Sequence, residues 1–351
     1  MLRMFKLLPL AVLALLVMFT VSCEGPAGPA GADGVDGKDG ADGNITCLGC
    51  HNEDTMLDNQ LEMARSQHGL GDVAVAYAGG RASCAPCHGH EQFVEYVETG
   101  SVSGNVVTPS PWQCSTCHGL HRTFDESFGD STDYALRTVA AVPVYYDETQ
   151  SFDLGNSSNL CMNCHQARTQ YAWASEDSAS ITSTHFGPHH GPQANLLFGV
   201  NGTIDDEPFS PHYDTGCTGC HMYETSGDEA DINGGHTFWA AAEKCNDCHS
   251  GPDIVFDANR GGDDFIHEGH YDYKGFQTEI GEKLENLAGL LVTAGVLDSN
   301  HTVVPGKYPI AEFGAFWNWA YIEEDRSHGV HNPYYTTDLL DEAITALGGT
   351  P

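Results

Sequence analysis

The sequence predicts a chain made mostly of loops with short α-helices, with longer helices near its C-terminal end and little or no β-structure. Three observations predict this fold class. The 351 residues include 40 Gly and 16 Pro, and only 40% are apolar, so two conventional hydrophobic cores are not expected. Twelve of the 13 cysteines fall in one repeated motif. Apolar residues recur at helical spacing only after Ser250.

The charge of the chain excludes one class of partner. Lys and Arg total 14 against 49 Asp and Glu, which gives a formal net charge of −35. Because this charge repels phosphate groups, we predict no binding to nucleic acid and no affinity for an anionic lipid surface. A cationic protein or a mineral with positive surface charge would suit it as a partner.

Residues 1–22 have the layout of an export signal. Arg3 and Lys6 supply positive charge, residues 7–21 are almost wholly apolar, and small polar residues follow. The alternative is an uncleaved anchor helix, for which the apolar run is short and is interrupted by Pro9. We therefore predict an exported protein, in the periplasm, on the outer membrane or cell surface, or outside the cell.

Residues 23–43 are predicted to be an anchor and a spacer. Cys23 lies where bacterial lipoproteins carry an acylated cysteine, and an ordinary cleaved signal with an unrelated thiol is the alternative. Glycine then recurs at every third residue from Gly25 to Gly43. Six such triplets are few for a collagen-like triple helix, so an extended acidic linker is favoured over a short trimerising stem. The lipid anchor would be the only membrane contact.

One motif, CxxCH, occurs six times between residues 44 and 250. In chain order the first to sixth motifs are Cys47-Leu48-Gly49-Cys50-His51, Cys84-Ala85-Pro86-Cys87-His88, Cys114-Ser115-Thr116-Cys117-His118, Cys161-Met162-Asn163-Cys164-His165, Cys217-Thr218-Gly219-Cys220-His221 and Cys245-Asn246-Asp247-Cys248-His249. This pattern is typical of covalent haem c attachment, in which two thiols bond the porphyrin and the adjacent imidazole becomes the proximal iron ligand. We therefore predict six covalently attached haem c groups, with the short helices and loops wrapped around them.

Paired cysteines also occur in zinc sites, redox proteins and disulfide frameworks, but none of these accounts for the whole motif. Zinc sites do not require a His directly after every second Cys. Thioredoxin-like redox pairs need a βαβ scaffold, of which the sequence gives no sign. A disulfide framework is plausible in an exported chain, but it gives the six identically placed His no role.

Thirteen His lie outside the motifs, more than the six that would be needed as second axial ligands. Imidazole on both sides of every iron is therefore feasible. Such coordination leaves a substrate no open position on the iron, which favours electron transfer over catalysis.

The chain resembles the multihaem c-type cytochromes of exported respiratory and extracellular electron-transfer systems. The resemblance rests on the six motifs and on four segments: Gly187-Pro188-His189-His190-Gly191-Pro192-Gln193, Cys217-Thr218-Gly219-Cys220-His221-Met222, Gly235-His236-Thr237-Phe238 and Gly329-Val330-His331-Asn332-Pro333. In such cytochromes a His after or away from a motif commonly completes a neighbouring haem. The resemblance implies the distal ligands His68, His121, His189, His212, His236 and His331, with His189 preferred over His185 and His190.

The last hundred residues contain no cysteine and are predicted to form a helical region, 251–351, that packs against the six-haem region, 44–250. Apolar residues at helical spacing predict one helix over residues 276–297 and a second over 337–347.

Together these features predict a non-catalytic electron carrier that exchanges electrons with other redox proteins or with an extracellular acceptor such as a metal oxide. The alternative is a multihaem reductase of a nitrogen or sulfur oxyanion with one open haem. Against it stand the negative charge of the chain and the absence of a CxxCK motif. A third hypothesis is a conductive homopolymer in which one subunit lends a His to the next.

Overall fold

Short helices separated by loops make up the part of the chain that carries the motifs, and three longer helices follow. The computed structural model describes residues 53–119, 136–204, 209–224, 233–240, 242–249, 254–257, 270–273 and 275–351. These residues all belong to one compact unit, Leu48–Pro351. The export segment, Cys23, the linker, the first motif and His121 lie outside the described residues.

The described helices are mostly single turns before residue 250. In chain order they are α1 (Glu53–Arg65), α2 (Gln67–Leu70), α3 (Asp72–Ala74), α4 (Ala85–His88), α5 (His90–Thr99), α6 (Cys114–Cys117), α7 (Ser158–Met162), α8 (Gln193–Leu197), α9 (Gly216–His221), α10 (Ala242–Cys245), α11 (Phe276–Ala294), α12 (Ile310–Asp325) and α13 (Pro333–Ala346). A π-helical turn follows α3 at Val75–Gly79, and a 3₁₀ turn lies at Gly235–Thr237. Among the described helices none is both long and apolar enough to cross a bilayer.

The β-structure that is described consists of three antiparallel strand pairs. Strands β1 (Val142–Val144) and β2 (Asp147–Phe152) form one pair, β3 (Ser178–Ile181) and β6 (Gly306–Pro309) the second, and β4 (Ile254–Asp257) and β5 (His270–Tyr273) the third. In the second pair Ser178 lies opposite Pro309 and Ile181 opposite Gly306. This pair joins the motif-bearing part of the chain to the C-terminal helices.

The largest apolar core lies among α11, α12 and α13. Ile280, Phe313, Phe316 and Leu339 are fully buried there. Residues from the motif-bearing part, among them Ile181, belong to the same core. A smaller cluster contains Val142, Val144, Phe152, Met162, Ala194, Leu197 and Phe198. The C-terminal helices therefore share their core with the segment that carries the fourth motif.

The sequence pattern does not predict α12, because this helix is apolar on every side. Phe313, Phe316 and Trp317 are fully buried on one side of the helix, and Ala315 and Ile322 are buried on the opposite side, so the apolar residues give no clear helical period. Two earlier helices, α1 and α5, are also longer than the single turns predicted before residue 250, with 13 and 10 residues.

The loop between α12 and α13 is held at both ends. Helix α12 ends at Asp325, and Arg326 takes a left-handed conformation with φ 62°. Helix α13 begins after Asn332, whose side chain accepts a hydrogen bond from the Tyr335 amide. Gly329, with φ 87°, lies so close to α11 that a Cβ atom would be 2.9 Å from the Phe276 ring. This loop carries His331.

Candidate functional site: five imidazole pairs

Each of the five described motifs forms a short helical turn. Within the turn the His amide donates to the carbonyl of the first Cys of its own motif, over 2.9 Å in the third motif, 3.0 Å in the fourth and 2.7 Å in the sixth. Residues three and four apart on a helix share a face. The two thiols and the imidazole of a motif are therefore presented on one side of the turn. None of the ten described motif cysteines forms a disulfide.

The structure brings each described motif imidazole beside an imidazole from elsewhere in the chain. The distances between ring centres are 6.1 Å for His88 and His189, 6.2 Å for His118 and His236, 6.0 Å for His165 and His68, 6.2 Å for His221 and His331, and 6.1 Å for His249 and His212. The second members are five of the six residues predicted as distal ligands. The sixth, His121, lies outside the described residues, as does His51.

The separation within each pair fits two imidazoles that bind one metal ion from opposite sides. An imidazole nitrogen binds a metal at about 2.0 Å, so two such rings have centres roughly 6 Å apart. His189 adds a further indication, because its Nε2 is buried and has no hydrogen-bond partner. In the described part of the chain, no three His, Cys, Asp or Glu side chains are grouped closely enough to hold a metal ion. The imidazoles are instead arranged in twos.

Four of the paired imidazoles are oriented through Nδ1. His212 donates from Nδ1 to the Val330 carbonyl over 2.7 Å, and His221 to the Phe238 carbonyl over 2.9 Å. His165 contacts the Gln193 Oε1 over 3.1 Å, and His331 contacts the Asp325 Oδ1 over 2.7 Å. Because these partners are acceptors, Nδ1 carries the proton and Nε2 keeps its lone pair. This is the tautomer that binds a metal through Nε2.

Burial keeps most of the paired imidazoles neutral. It lowers the pKa of His68 to about 3 and the pKa values of His189 and His221 to about 4. Burial also lowers the pKa of His165, although part of this residue is exposed. Since only neutral imidazole binds a metal, these rings are in the ligating form at neutral pH.

His331 differs from the other paired imidazoles. Burial alone would lower its pKa, but the Asp325 carboxylate outweighs burial and raises the pKa of His331. Asp325 is the last residue of α12 and its carboxylate is fully buried. The pair of His221 and His331 therefore includes one imidazole that is bonded to a buried negative charge.

Contacts between motifs place the pairs next to one another. The Cys87 thiol donates to the Asn163 carbonyl over 3.6 Å, and the Cys164 thiol to the Pro86 carbonyl over 3.8 Å, so the second and fourth motifs touch. The hydroxyl of Thr218 is hydrogen-bonded to Ser157 over 3.0 Å, which joins the segment of the fourth motif to the fifth. The three motifs thus follow one another in space in the order second, fourth, fifth.

The other two described pairs adjoin this group. The Phe238 ring lies edge-on to His68, with centres 4.8 Å apart, and 5.9 Å from the ring of His236. Since the Phe238 carbonyl also binds His221, this residue touches the pairs of the third, fourth and fifth motifs. The acceptor of His212, the Val330 carbonyl, directly precedes His331, which brings the pair of the sixth motif beside that of the fifth.

The described His outside the pairs have other partners. His90 is hydrogen-bonded through Nδ1 to Thr116 over 2.6 Å, and exposed His190 to Glu324 over 2.7 Å. His301 packs edge-on against Trp319, and His185 is exposed. Of the cluster at residues 185, 189 and 190, His189 is thus the one that lies beside a motif imidazole.

The sequence pattern does not identify the residues that orient the imidazoles. Gln193, Phe238 and Val330 lie in segments that carry the resemblance, but the resemblance gives them no role, and Asp325 lies outside those segments. The one signal for Asp325 in the sequence is a carboxylate six residues before His331. This spacing does not predict their contact unless α12 is known to end at Asp325. Gln193 acts through its side-chain amide. Phe238 and Val330 act through backbone carbonyls, which any residue can supply at the right place.

Comparison with known proteins supports the fold but not a closer relationship. No protein-family model matches the chain, and no curated protein matches it. The crystal structure of an outer cell wall cytochrome, OcwA, is similar with a TM-score of 0.51 and 17% identity, over 82% of this chain and 49% of that one. An undecahaem cytochrome from the S-layer of Carboxydothermus ferrireducens has a TM-score of 0.48 and 20% identity, over 81% and 41%. The chain thus spans less than half the length of these two solved structures. The fold of this chain is that of a multihaem cytochrome.

Proposed function

We propose that this chain is a multihaem c-type cytochrome that carries electrons and does not itself transform a substrate. The observation that supports the proposal most strongly is the pairing of each described motif imidazole with a second imidazole at 6.0–6.2 Å. An iron bound by imidazole on both sides has no position open to a substrate. The function is therefore electron transfer between haems.

The residues of each site have distinct roles in this proposal. The two Cys of a motif would hold the porphyrin, and the motif His and the paired His would be the proximal and distal ligands of its iron. By the same rule the first motif attaches a sixth haem through Cys47, Cys50 and His51, with His121 as the distal ligand. When bound, haem supplies the one-electron chemistry of its iron. The protein sets the spacing, the burial and the ligand orientation.

The contacts between motifs define the path that we propose. The second, fourth and fifth motifs touch in that order, and the site of the sixth motif adjoins that of the fifth. The third site adjoins the fourth and fifth at Phe238. Electrons that enter at one end of this group pass through the fourth and fifth sites, which are its centre.

The setting that we propose is outside the cytoplasm. The 22-residue export pattern and the likeness to an outer cell wall cytochrome both favour an exported or surface location, with Cys23 as a lipid anchor. The donor and acceptor would be other redox proteins or an extracellular electron acceptor. The formal charge of −35 favours a cationic partner or a positively charged mineral.

The proposal is tested on protein produced together with a cytochrome c maturation system. We expect the intact mass to include six haem groups, and the reduced protein to have a low-spin spectrum that carbon monoxide does not change. A protein without covalent haem would contradict the proposal. Carbon monoxide binding to one haem of the unaltered protein would favour the reductase alternative instead.

Electron paramagnetic resonance of the oxidised protein tests the pairing in more detail. The two rings are steeply inclined in three pairs, with angles of 81°, 87° and 70° for the second, fourth and sixth motifs, and less so in two, with 39° and 36° for the third and fifth. Perpendicular imidazole planes make two iron orbitals nearly equal in energy, whereas parallel planes separate them. We therefore expect strongly anisotropic low-spin signals from the three steeply inclined pairs and rhombic low-spin signals from the other two. A spectrum with one class alone would contradict these ring orientations.

A further inference from the structure

Asp325 is a buried carboxylate in direct contact with a proposed iron ligand. Its Oδ1 lies 2.7 Å from Nδ1 of His331, and its side chain has no exposed surface. The other oxygen, Oδ2, accepts hydrogen bonds from the amide and the hydroxyl of Ser327. Ser327 in turn accepts a hydrogen bond from the His331 amide over 3.1 Å. Both oxygens of the carboxylate are therefore held in place beside this imidazole.

The fourth and sixth sites each have a neutral acceptor at the corresponding position of one ligand. His165 of the fourth site contacts the amide oxygen of Gln193, and His212 of the sixth site donates to the Val330 carbonyl. His221, on the other side of the fifth site, donates to the Phe238 carbonyl. The fifth site thus has a buried carboxylate at Nδ1 of His331, where His165 of the fourth site and His212 of the sixth have a neutral acceptor.

A carboxylate at this position favours the oxidised iron. It draws the Nδ1 proton toward itself, which makes the imidazole a stronger electron donor to the metal. The buried charge also stabilises the additional positive charge of ferric iron, and it does so more strongly than an exposed charge would. A neutral acceptor attracts the Nδ1 proton more weakly, and it has no charge with which to stabilise ferric iron.

We propose that Asp325 is a positioning residue that keeps the reduction potential of the fifth site below the potentials of the fourth and sixth sites. The inference rests on the proposed function, since it requires an iron between His221 and His331. Because the fifth site lies between the other two, an electron that crosses the group meets its least favourable step there. Asp325 thus controls the passage of electrons between the fourth and sixth sites.

The test uses Asp325→Asn in the full chain loaded with haem. This change keeps the size of the side chain and an oxygen that faces His331, but it removes the charge. In a spectroelectrochemical titration, the proposal assigns the fifth site a component with a lower potential than those of the fourth and sixth sites. We expect this component to move to higher potential in the variant. At a fixed potential its ratio of reduced to oxidised haem should rise about tenfold, which corresponds to about 59 mV for one electron.

Glu342→Gln is the matched control, because it removes the same charge from a side chain that binds Thr203 and no proposed ligand. Its titration should match that of the unaltered protein. An equal shift in both variants would overturn the proposal, since net charge would then explain the effect. A titration of Asp325→Asn with no shift would also overturn it.

Ser327→Ala is the second variant, and it decides the matter if Asp325→Asn does not retain all six haems. It keeps the carboxylate but removes one donor to Oδ2, which leaves more negative charge for His331. We expect the same component to move to lower potential, and an unchanged or raised potential would overturn the proposal. Haem content by mass spectrometry separates these results from failure of the proposed function, in which the unaltered protein would itself carry no haem.

Discussion

His189 and His190 are neighbours in the chain but have different surroundings. The ring of His189 is 6.1 Å from that of His88, and its Nε2 is buried. The ring of His190 is exposed and hydrogen-bonded to Glu324, a contact that raises its pKa. His189 has a positive φ of 77°, a conformation that non-glycine residues adopt rarely. This backbone turn directs the two side chains into different environments.

Substitution of these two residues tests the proposed distal ligands one at a time. We expect His189→Ala to give one high-spin haem that binds carbon monoxide, because the second site then loses an axial ligand. His190→Ala is the matched control and should keep a fully low-spin spectrum. Absorption spectra with and without carbon monoxide provide the measurement. If His190→Ala were the variant that gained carbon monoxide binding, the two roles would have to be exchanged.

At the scale of single residues, the sequence predicts the proposed ligands but not the residues that orient them. The CxxCH spacing predicts the motif imidazoles, and the resemblance implies the second imidazoles, five of which lie beside a motif His. Gln193 and Asp325 could not be predicted, because their contacts depend on how distant segments pack. Gln193 illustrates this: one end of its amide contacts His165 and the other donates to the Asp325 carbonyl over 3.1 Å.

Among the elements, α13 has a direct effect on a proposed ligand. Its N-cap, Asn332, follows His331 and is fully buried, and its side chain accepts from the Tyr335 amide over 3.2 Å. Pro333 occupies the first turn, where its missing N–H is not needed. The start of the helix thus fixes the end of the loop that carries His331.

Removal of this cap should destabilise the protein. We expect Asn332→Ala to lower the free energy of unfolding by about 1 kcal/mol, the usual cost of a lost N-cap side chain. Thr293→Ala serves as the comparison, because Thr293 is exposed and its hydroxyl bonds only within α11, so its effect should stay within about 0.5 kcal/mol. Denaturant titration of the haem-loaded protein measures both. Equal stabilities for the two variants would show that the cap does not contribute.

The predicted elements agree with the structure where the pattern is local and periodic. The apolar spacing predicts a helix over residues 276–297, and α11 covers Phe276–Ala294, ending where Gly295 takes a left-handed conformation with φ 77°. The helix predicted over 337–347 begins earlier, at Pro333. The pairing of β3 with β6 could not be predicted, since the partners are far apart in the chain and each has only four residues.

On the scale of the whole molecule, stability is divided between two sources. The C-terminal helices have a large apolar core, whereas the residues around the motifs have only a small cluster and many loops. Covalently attached haem would supply the remaining constraints, as bound metals do in other small-core proteins. The composition predicts this weakness of the motif-bearing part, but it does not predict the large apolar core among the C-terminal helices, to which Ile181 also contributes.

Haem-free protein should therefore unfold unevenly. In chain produced without the maturation system, we expect limited proteolysis to cut the motif-bearing part rapidly, while a fragment that contains α11, α12 and α13 persists longer. The haem-loaded protein should resist the same protease throughout these regions. Mass spectrometry of the fragments measures the order of cleavage. A haem-free chain that resisted cleavage everywhere would contradict this division of stability.

The pairing of His221 with His331 also has a consequence for biogenesis. His331 lies between α12 and α13, more than 100 residues after Cys217 and Cys220, so haem attached to these cysteines before α12 and α13 dock would lack its second ligand. Until α12 and α13 have docked, such an iron would be exposed to small molecules of the compartment. Docking of α12 and α13 would thus complete the proposed fifth site.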